Sequence, residues 1–105
     1  MNRQLNERDF EKALDSRKLT GDYFLVEDYV LDFSFKDYVF GNCIISSGSF
    51  SGSIFENCKF NNVILKNVHL GEVYFKNCDF HKTTFEGCKT EGIQFVACTN
   101  IPKIV

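Results

Sequence analysis

Large apolar side chains recur at every fifth position through most of the chain, and this period is the strongest constraint on its fold. Between residues 35 and 100, twelve of the fourteen positions divisible by five carry Phe, Leu or Ile. On an α-helix a step of five residues turns the chain by about 140°, which scatters the rings around the circumference. On a flat strand five is odd, so successive rings alternate between faces. The period therefore excludes a simple helix and a flat sheet.

A second set of inward residues lies two positions before each large one. From Cys43 onward these residues are mostly small, and all five cysteines belong to them. Residues two apart on an extended segment face the same way. Each repeat is therefore predicted to be a very short strand with one small and one large inward residue, followed by a corner. Four corners close a square in about twenty residues, and successive squares stack at a strand spacing of about 4.8 Å.

Corner residues and charges agree with a square. Asn and Gly tolerate a left-handed backbone. One of them stands two positions after the large residue at Asn42, Gly52, Asn57, Asn62, Asn67, Asn77, Gly87 and Gly92. In a square, outward residues twenty apart become neighbours, and opposite charges there stabilise the sheet. Such charges stand at Lys36, Glu56 and Lys76, at Lys59 and Asp79, and at Lys66 and Glu86.

The repeats include the units FENCK, FNNVI, LKNVH, FKNCD and FEGCK. Through them the chain resembles the pentapeptide-repeat family over roughly residues 33–100. The resemblance implies an all-β fold, a right-handed quadrilateral β-solenoid with Phe and Leu rings stacked along its axis. The chain accommodates about 3.5–4 coils. The predicted core consists of Phe35, Phe40, Phe50, Phe55, Phe60, Leu65, Leu70, Phe75, Phe80, Phe85 and Phe95, with Cys43, Cys58, Cys78, Cys88 and Cys98.

Both ends of a solenoid expose strand edges and need covering. Residues 6–16, NERDFEKALDS, are predicted to form a short capping α-helix with Asn6 as N-cap. The predicted domains are a helical cap at residues 1–20 and a solenoid at 21–105, with regular repeats over about 33–100. The apolar C-terminal tail IPKIV indicates either self-capping or a homodimer through this end, and we favour the homodimer.

The residues that usually carry chemistry are explained by the repeat. His69 and His81 fall in different repeat phases, and the chain has no CxxC or HxxxH spacing. Cys58, Cys78 and Cys98 are expected to stack in one column as packing residues, with raised pKa values and low reactivity. We therefore expect no catalytic residue, no metal site and no cofactor.

Bulk properties limit the functional classes. The chain has 105 residues, enough for one domain, and a formal net charge of −2. This charge favours neither nucleic-acid nor anionic-membrane binding. The sequence shows no signal peptide and no apolar run long enough for a transmembrane helix. We expect a soluble, cytoplasmic protein.

Two outward apolar columns are the candidate protein-binding surface. One contains Ile44, Ile64 and Ile104, with Thr84 between the last two; the other contains Ile54 and Tyr74. Because β-branched residues also suit exposed strands, the columns have a structural explanation too. The preferred function is a non-enzymatic interaction or scaffold module that binds an unidentified protein through its faces or its C-terminal end. The alternative, implied by the resemblance, is a DNA mimic that binds a type II topoisomerase such as gyrase.

A mimic needs an uncompensated acidic face, and the predicted solenoid does not offer one. From residue 31 onward, seven acidic residues are matched by seven lysines. The sequence therefore favours the interaction module over the mimic.

Overall fold

The computed structural model describes residues 4–5, 12, 15–20, 23–25 and 34–105 of the chain. Within these ranges the backbone forms strands of two or three residues. In chain order they are β1 Gln4–Leu5, β2 Lys18–Thr20, β3 Tyr23–Leu25, β4 Ser34–Lys36, β5 Val39–Gly41, β6 Ile44–Ser46, β7 Ile54–Glu56, β8 Lys59–Asn61, β9 Ile64–Lys66, β10 Tyr74–Lys76, β11 Asp79–His81, β12 Thr84–Glu86, β13 Gln94–Val96 and β14 Lys103–Ile104. Such short strands follow from a corner at every fifth residue.

The strands form the sides of a parallel β-solenoid of about four turns. Face one contains β4, β7, β10 and β13, and face two contains β2, β5, β8 and β11. Face three contains β1, β3, β6, β9, β12 and β14. Face four is joined by single parallel bridges from Ser49 to His69 and from His69 to Lys89. The predicted four-sided coil is therefore confirmed.

The register between successive turns is twenty residues through the regular part. Glu56 lies between Lys36 and Lys76 on face one, as predicted from the charges. Lys59 likewise lies opposite Asp79 on face two. Because strands in neighbouring turns are in register, every column of the sequence pattern becomes a column of neighbours in space.

The core consists of aromatic columns that run along the solenoid axis. On face one, the ring centroids of Phe35, Phe55, Phe75 and Phe95 are separated in turn by 4.2, 4.8 and 5.2 Å. Rings of adjacent faces meet edge-to-face, as in the Phe75–Phe80 pair at 5.0 Å and 80°. The edge-to-face arrangement is one that aromatic quadrupoles prefer. The columns thus fill the interior with ring-to-ring contacts.

The corners adopt the left-handed backbone that the Asn and Gly pattern predicted. All eight predicted corner residues have positive φ, from 49° at Asn42 to 77° at Gly52. Several corners also join successive turns through side chains. The side-chain amide of Asn62 donates to the side-chain carbonyl oxygen of Asn42 at 2.9 Å. The side-chain amide of Asn57 donates to the Asp37 carboxylate at 2.6 Å. These bonds stabilise a conformation that costs energy for most residue types.

Most of the predicted N-terminal helix at 6–16 lies outside the described residues; of that segment, residues 12, 15 and 16 are described, with helical backbone. The cap helix therefore stays a prediction. Strands β1 and β2 pair in parallel with β3 and β5, so the ladder includes parts of the segment 1–20. Among the described residues, no helix has the length and apolar character to span a bilayer.

Removing a ring from the middle of a column is expected to destabilise the protein strongly. Phe75 has no exposed surface, so Phe75→Ala should lower the free energy of unfolding by about 3–5 kcal/mol. The matched variant Phe95→Ala removes a half-buried ring in the last turn and should cost about half as much. Urea denaturation measures both values. Equal losses would contradict a column in which Phe75 is more fully buried than Phe95.

Candidate interaction surface

Rings occupy the inside of this solenoid, so the side chains that another molecule can reach lie on its outside. Phe75 and Phe85 have no exposed surface, and Phe80 is 1% exposed. Among the described residues, no group of three or more His, Cys, Asp or Glu side chains is arranged to hold a metal ion. The candidate site is therefore a surface made of outward-facing columns.

The first predicted column lies on face three. Ile44 pairs with Ile64, and Ile64 pairs with Thr84, so these three residues do form a continuous column. All three are half-buried, because neighbouring turns cover part of each side chain. The column therefore offers a partner less apolar area than its composition implies.

Ile104 does not continue this column. Lys103 lies opposite Thr84, and Ile104 lies opposite Phe85, so the last register is nineteen residues. The cause is Pro102, which occupies the place of the next corner. Proline fixes φ near −65° and cannot adopt the positive φ of a corner. The corner is instead at Asn100, with φ 50°. The prediction that Ile104 belongs to the outward column is therefore wrong, because Ile104 lies opposite the inward residue Phe85.

The second predicted column lies on face one. Ile54 lies directly opposite Tyr74, with Ser34 before them and Gln94 after them. Ile54 is 45% exposed, and Tyr74 is half-buried. Ile54 on face one is therefore more exposed than Ile44 and Ile64 of the first column.

A depression lies beside Tyr74, at the edge between faces four and one. It is open to solvent, has a volume of about 330 Å³, and is lined by Glu72, Val73, Tyr74, Gly92 and Gln94. Sequence reasoning identified Tyr74 and missed the polar residues around it. A signal was present, because Glu72 occupies a corner position whose equivalents in the turns before and after are glycine. A long acidic side chain thus stands between two corners that lack side chains.

The depression could not be located from the pattern alone, because its shape depends on how these corners stack. An ideal Cβ on Gly92 would lie 3.0 Å from Cγ of Glu72. The Glu72 side chain therefore lies across Gly92, in space that only a glycine leaves open.

Sequence comparison agrees with this architecture. The family model described as pentapeptide repeats matches residues 53–89 in eight copies. Over these residues the chain contains pentapeptide repeats. Proteins with these repeats are commonly of the interaction type and are generally non-enzymatic. No curated protein matches the sequence.

The last turn of the solenoid carries much of its exposed apolar surface. In the part of the chain that the structure describes, six large apolar side chains are exposed, and four of them belong to this turn: Val96, Ile101, Ile104 and Val105. The inner residues Ile93 and Phe95 are only partly buried here. This end is therefore a second apolar surface, with Val96 on face one and Ile104 on face three.

The cysteines act as packing residues with a regular hydrogen-bond pattern. Four of the five thiols donate to the carbonyl oxygen of the residue 23 positions earlier, at 3.6 Å from Cys58, 3.4 Å from Cys78, 3.2 Å from Cys88 and 3.4 Å from Cys98. The pattern joins each turn to the preceding one. It explains why a thiol suits the small inward position, since it fills space and also satisfies a carbonyl.

The pKa values of these thiols follow from their contacts. Burial raises the pKa of Cys88 and of Cys98. The side-chain contact with Cys58, together with burial, raises the pKa of Cys78. Cys58 departs from the predicted rise, because a hydrogen bond with the Cys78 thiol lowers its pKa. Cys43, Cys58 and Cys78 are nonetheless buried, so reagents have little access to them.

Thiol alkylation should separate the cysteines by position. In the folded protein, iodoacetamide should modify Cys88 and Cys98 first, since Cys43, Cys58 and Cys78 are buried. Because the pKa values of Cys88 and Cys98 are raised, their rates should rise about tenfold per pH unit from pH 7 to 9. Mass spectrometry identifies the modified sites, and urea-unfolded protein is the control. Modification of Cys58 as fast as Cys98 would contradict the buried column.

Proposed function

We propose that this pentapeptide-repeat protein is a non-enzymatic interaction module that binds another protein through its outer surface. The observation that carries the proposal is where the exposed apolar side chains lie. Ile54 is 45% exposed on face one, beside Tyr74, and the last turn exposes Ile101 at 53% and Val105 at 60%. Exposed apolar side chains that are contiguous on a surface are typical of protein-binding sites.

The regular charge pattern supports a protein partner rather than a role as a DNA mimic. Lysine and glutamate alternate along face one, and Lys59 lies opposite Asp79 on face two. A mimic of DNA requires a row of uncompensated negative charge. Alternation places each carboxylate next to an ammonium group, which favours pairing within the solenoid over attraction of a basic saddle.

Replacing Ile54 by lysine should remove the partner from face one. Crosslinked pull-downs from native lysate compare the wild type with Ile54→Lys and with the matched control Ser34→Lys, an exposed position in the same column. We expect Ile54→Lys to reduce capture of a partner at least tenfold and Ser34→Lys to change it less than twofold, since a charge is costly only in an apolar contact. Circular dichroism verifies that both variants are folded.

Equal capture of a partner by the wild type and by folded Ile54→Lys would contradict the assignment to face one. Equal capture of type II topoisomerase subunits would support the DNA-mimic alternative instead.

The apolar last turn is proposed to join two copies of the chain. Ile101 is 53% exposed there, and charging it with Ile101→Glu should shift a dimer to a monomer in sedimentation equilibrium. The matched control is Thr99→Glu, which changes an exposed polar residue of the same turn and should leave the dimer intact. A wild-type chain that sediments as a monomer at 100 µM (a concentration of the order that weak homodimers need) would contradict a homodimer through this end.

A further inference from the structure

The depression beside Tyr74 combines three chemical groups at one edge of the solenoid. Glu72 contributes a carboxylate, Tyr74 an aromatic ring, and Gln94 an amide. Among the described residues that line it, Glu72 carries the only charge. A carboxylate without a cationic neighbour in its own lining is free to pair with a positive group from outside.

Backbone hydrogen bonds hold these groups in place. The Tyr74 amide donates to the Ser53 carbonyl at 3.0 Å, and the Gln94 amide donates to the Val73 carbonyl at 3.0 Å. The Glu72 amide donates to the Glu91 carbonyl at 2.8 Å. The three lining residues are thus fixed to turns before and after them, so binding needs little reordering of the backbone.

The chemistry of this lining matches a guanidinium group. Arginine presents several N–H donors in a planar fork that fits a carboxylate, and its plane stacks on aromatic rings. The Gln94 side chain adds an amide oxygen that accepts a hydrogen bond. A lysine ammonium group makes the charge contact but lacks the planar surface for stacking.

On the basis of the interaction role proposed above, we propose that the depression holds an arginine side chain of the partner protein. The guanidinium pairs with Glu72 and stacks on Tyr74. Ile54 lies opposite Tyr74 in the same column and is exposed, so an apolar residue next to the arginine packs on it. The site therefore recognises an arginine followed or preceded by an apolar residue.

Peptide selection tests this site directly. A random dodecapeptide library is displayed to the immobilised full chain, and the selected peptides are synthesised with arginine or with the neutral isostere citrulline. We expect the selected peptides to contain arginine and to bind about tenfold more weakly with citrulline, as loss of a charge-assisted contact implies. Glu72→Gln should cause a similar tenfold loss. Glu86→Gln, an exposed carboxylate on face three, should change binding less than twofold.

A double-mutant cycle shows whether the two groups meet. If arginine pairs with Glu72, citrulline should cause little further loss in Glu72→Gln, because the contact is already gone. Fully additive losses, or selected peptides without arginine, would overturn the arginine site while leaving the interaction module intact. Selection of no peptide would also overturn it, and the Ile54→Lys pull-down then tests the proposed function separately.

Discussion

The in-register stacking of phenylalanine rings is the interaction on which the rest of the structure depends. Strands in neighbouring turns lie about 4.7–4.9 Å apart. The rings on face two, from Phe40 to Phe60 to Phe80, are separated by 4.6 and 4.8 Å, so ring spacing equals strand spacing. A column of identical rings therefore fills the interior continuously along the axis. On faces one and two, a shift of one to four residues would move each ring out of line with the ring of the next turn and leave a void, which is costly in a core.

The filled interior limits where another protein can contact the solenoid. Because rings fill the interior of the part of the solenoid that the structure describes, its accessible side chains lie in outward columns, at corners and in the last turn. The corners matter most for shape, since a glycine leaves space where a side chain would stand. At Gly92 this space is taken by the Glu72 side chain, which brings a carboxylate beside Tyr74. The same backbone requirement that turns the coil thus also creates a polar depression beside an apolar column.

Much of the fold can be predicted from the sequence, because the five-residue period, the corner residues and the charge pairs are either local features or features that repeat at a fixed spacing. The five-residue period predicts the short strands, and Asn42 and Gly52 stand at corners with positive φ. The slip at Pro102 was not predicted, since a repeat pattern assumes that every corner can form. The depression was not predicted either, because it depends on the stacking of Glu72 and Gly92 from different turns. The exposure of a side chain also depends on its neighbours. For this reason Ile54 is exposed and Ile44 is half-buried, although both are outward isoleucines.

The most direct test of this account is a set of nuclear Overhauser contacts in the isotope-labelled protein. The in-register solenoid predicts ring contacts between Phe55 and Phe75, whose centroids are 4.8 Å apart, and backbone contacts between Ile64 and Thr84. It also predicts that Thr84 contacts Lys103 and not Ile104 in the last turn. Contacts between residues twenty apart, and nineteen apart in the last turn, would support the stacked columns. Contacts at another spacing, or between antiparallel strands, would contradict them and every surface assignment built on them.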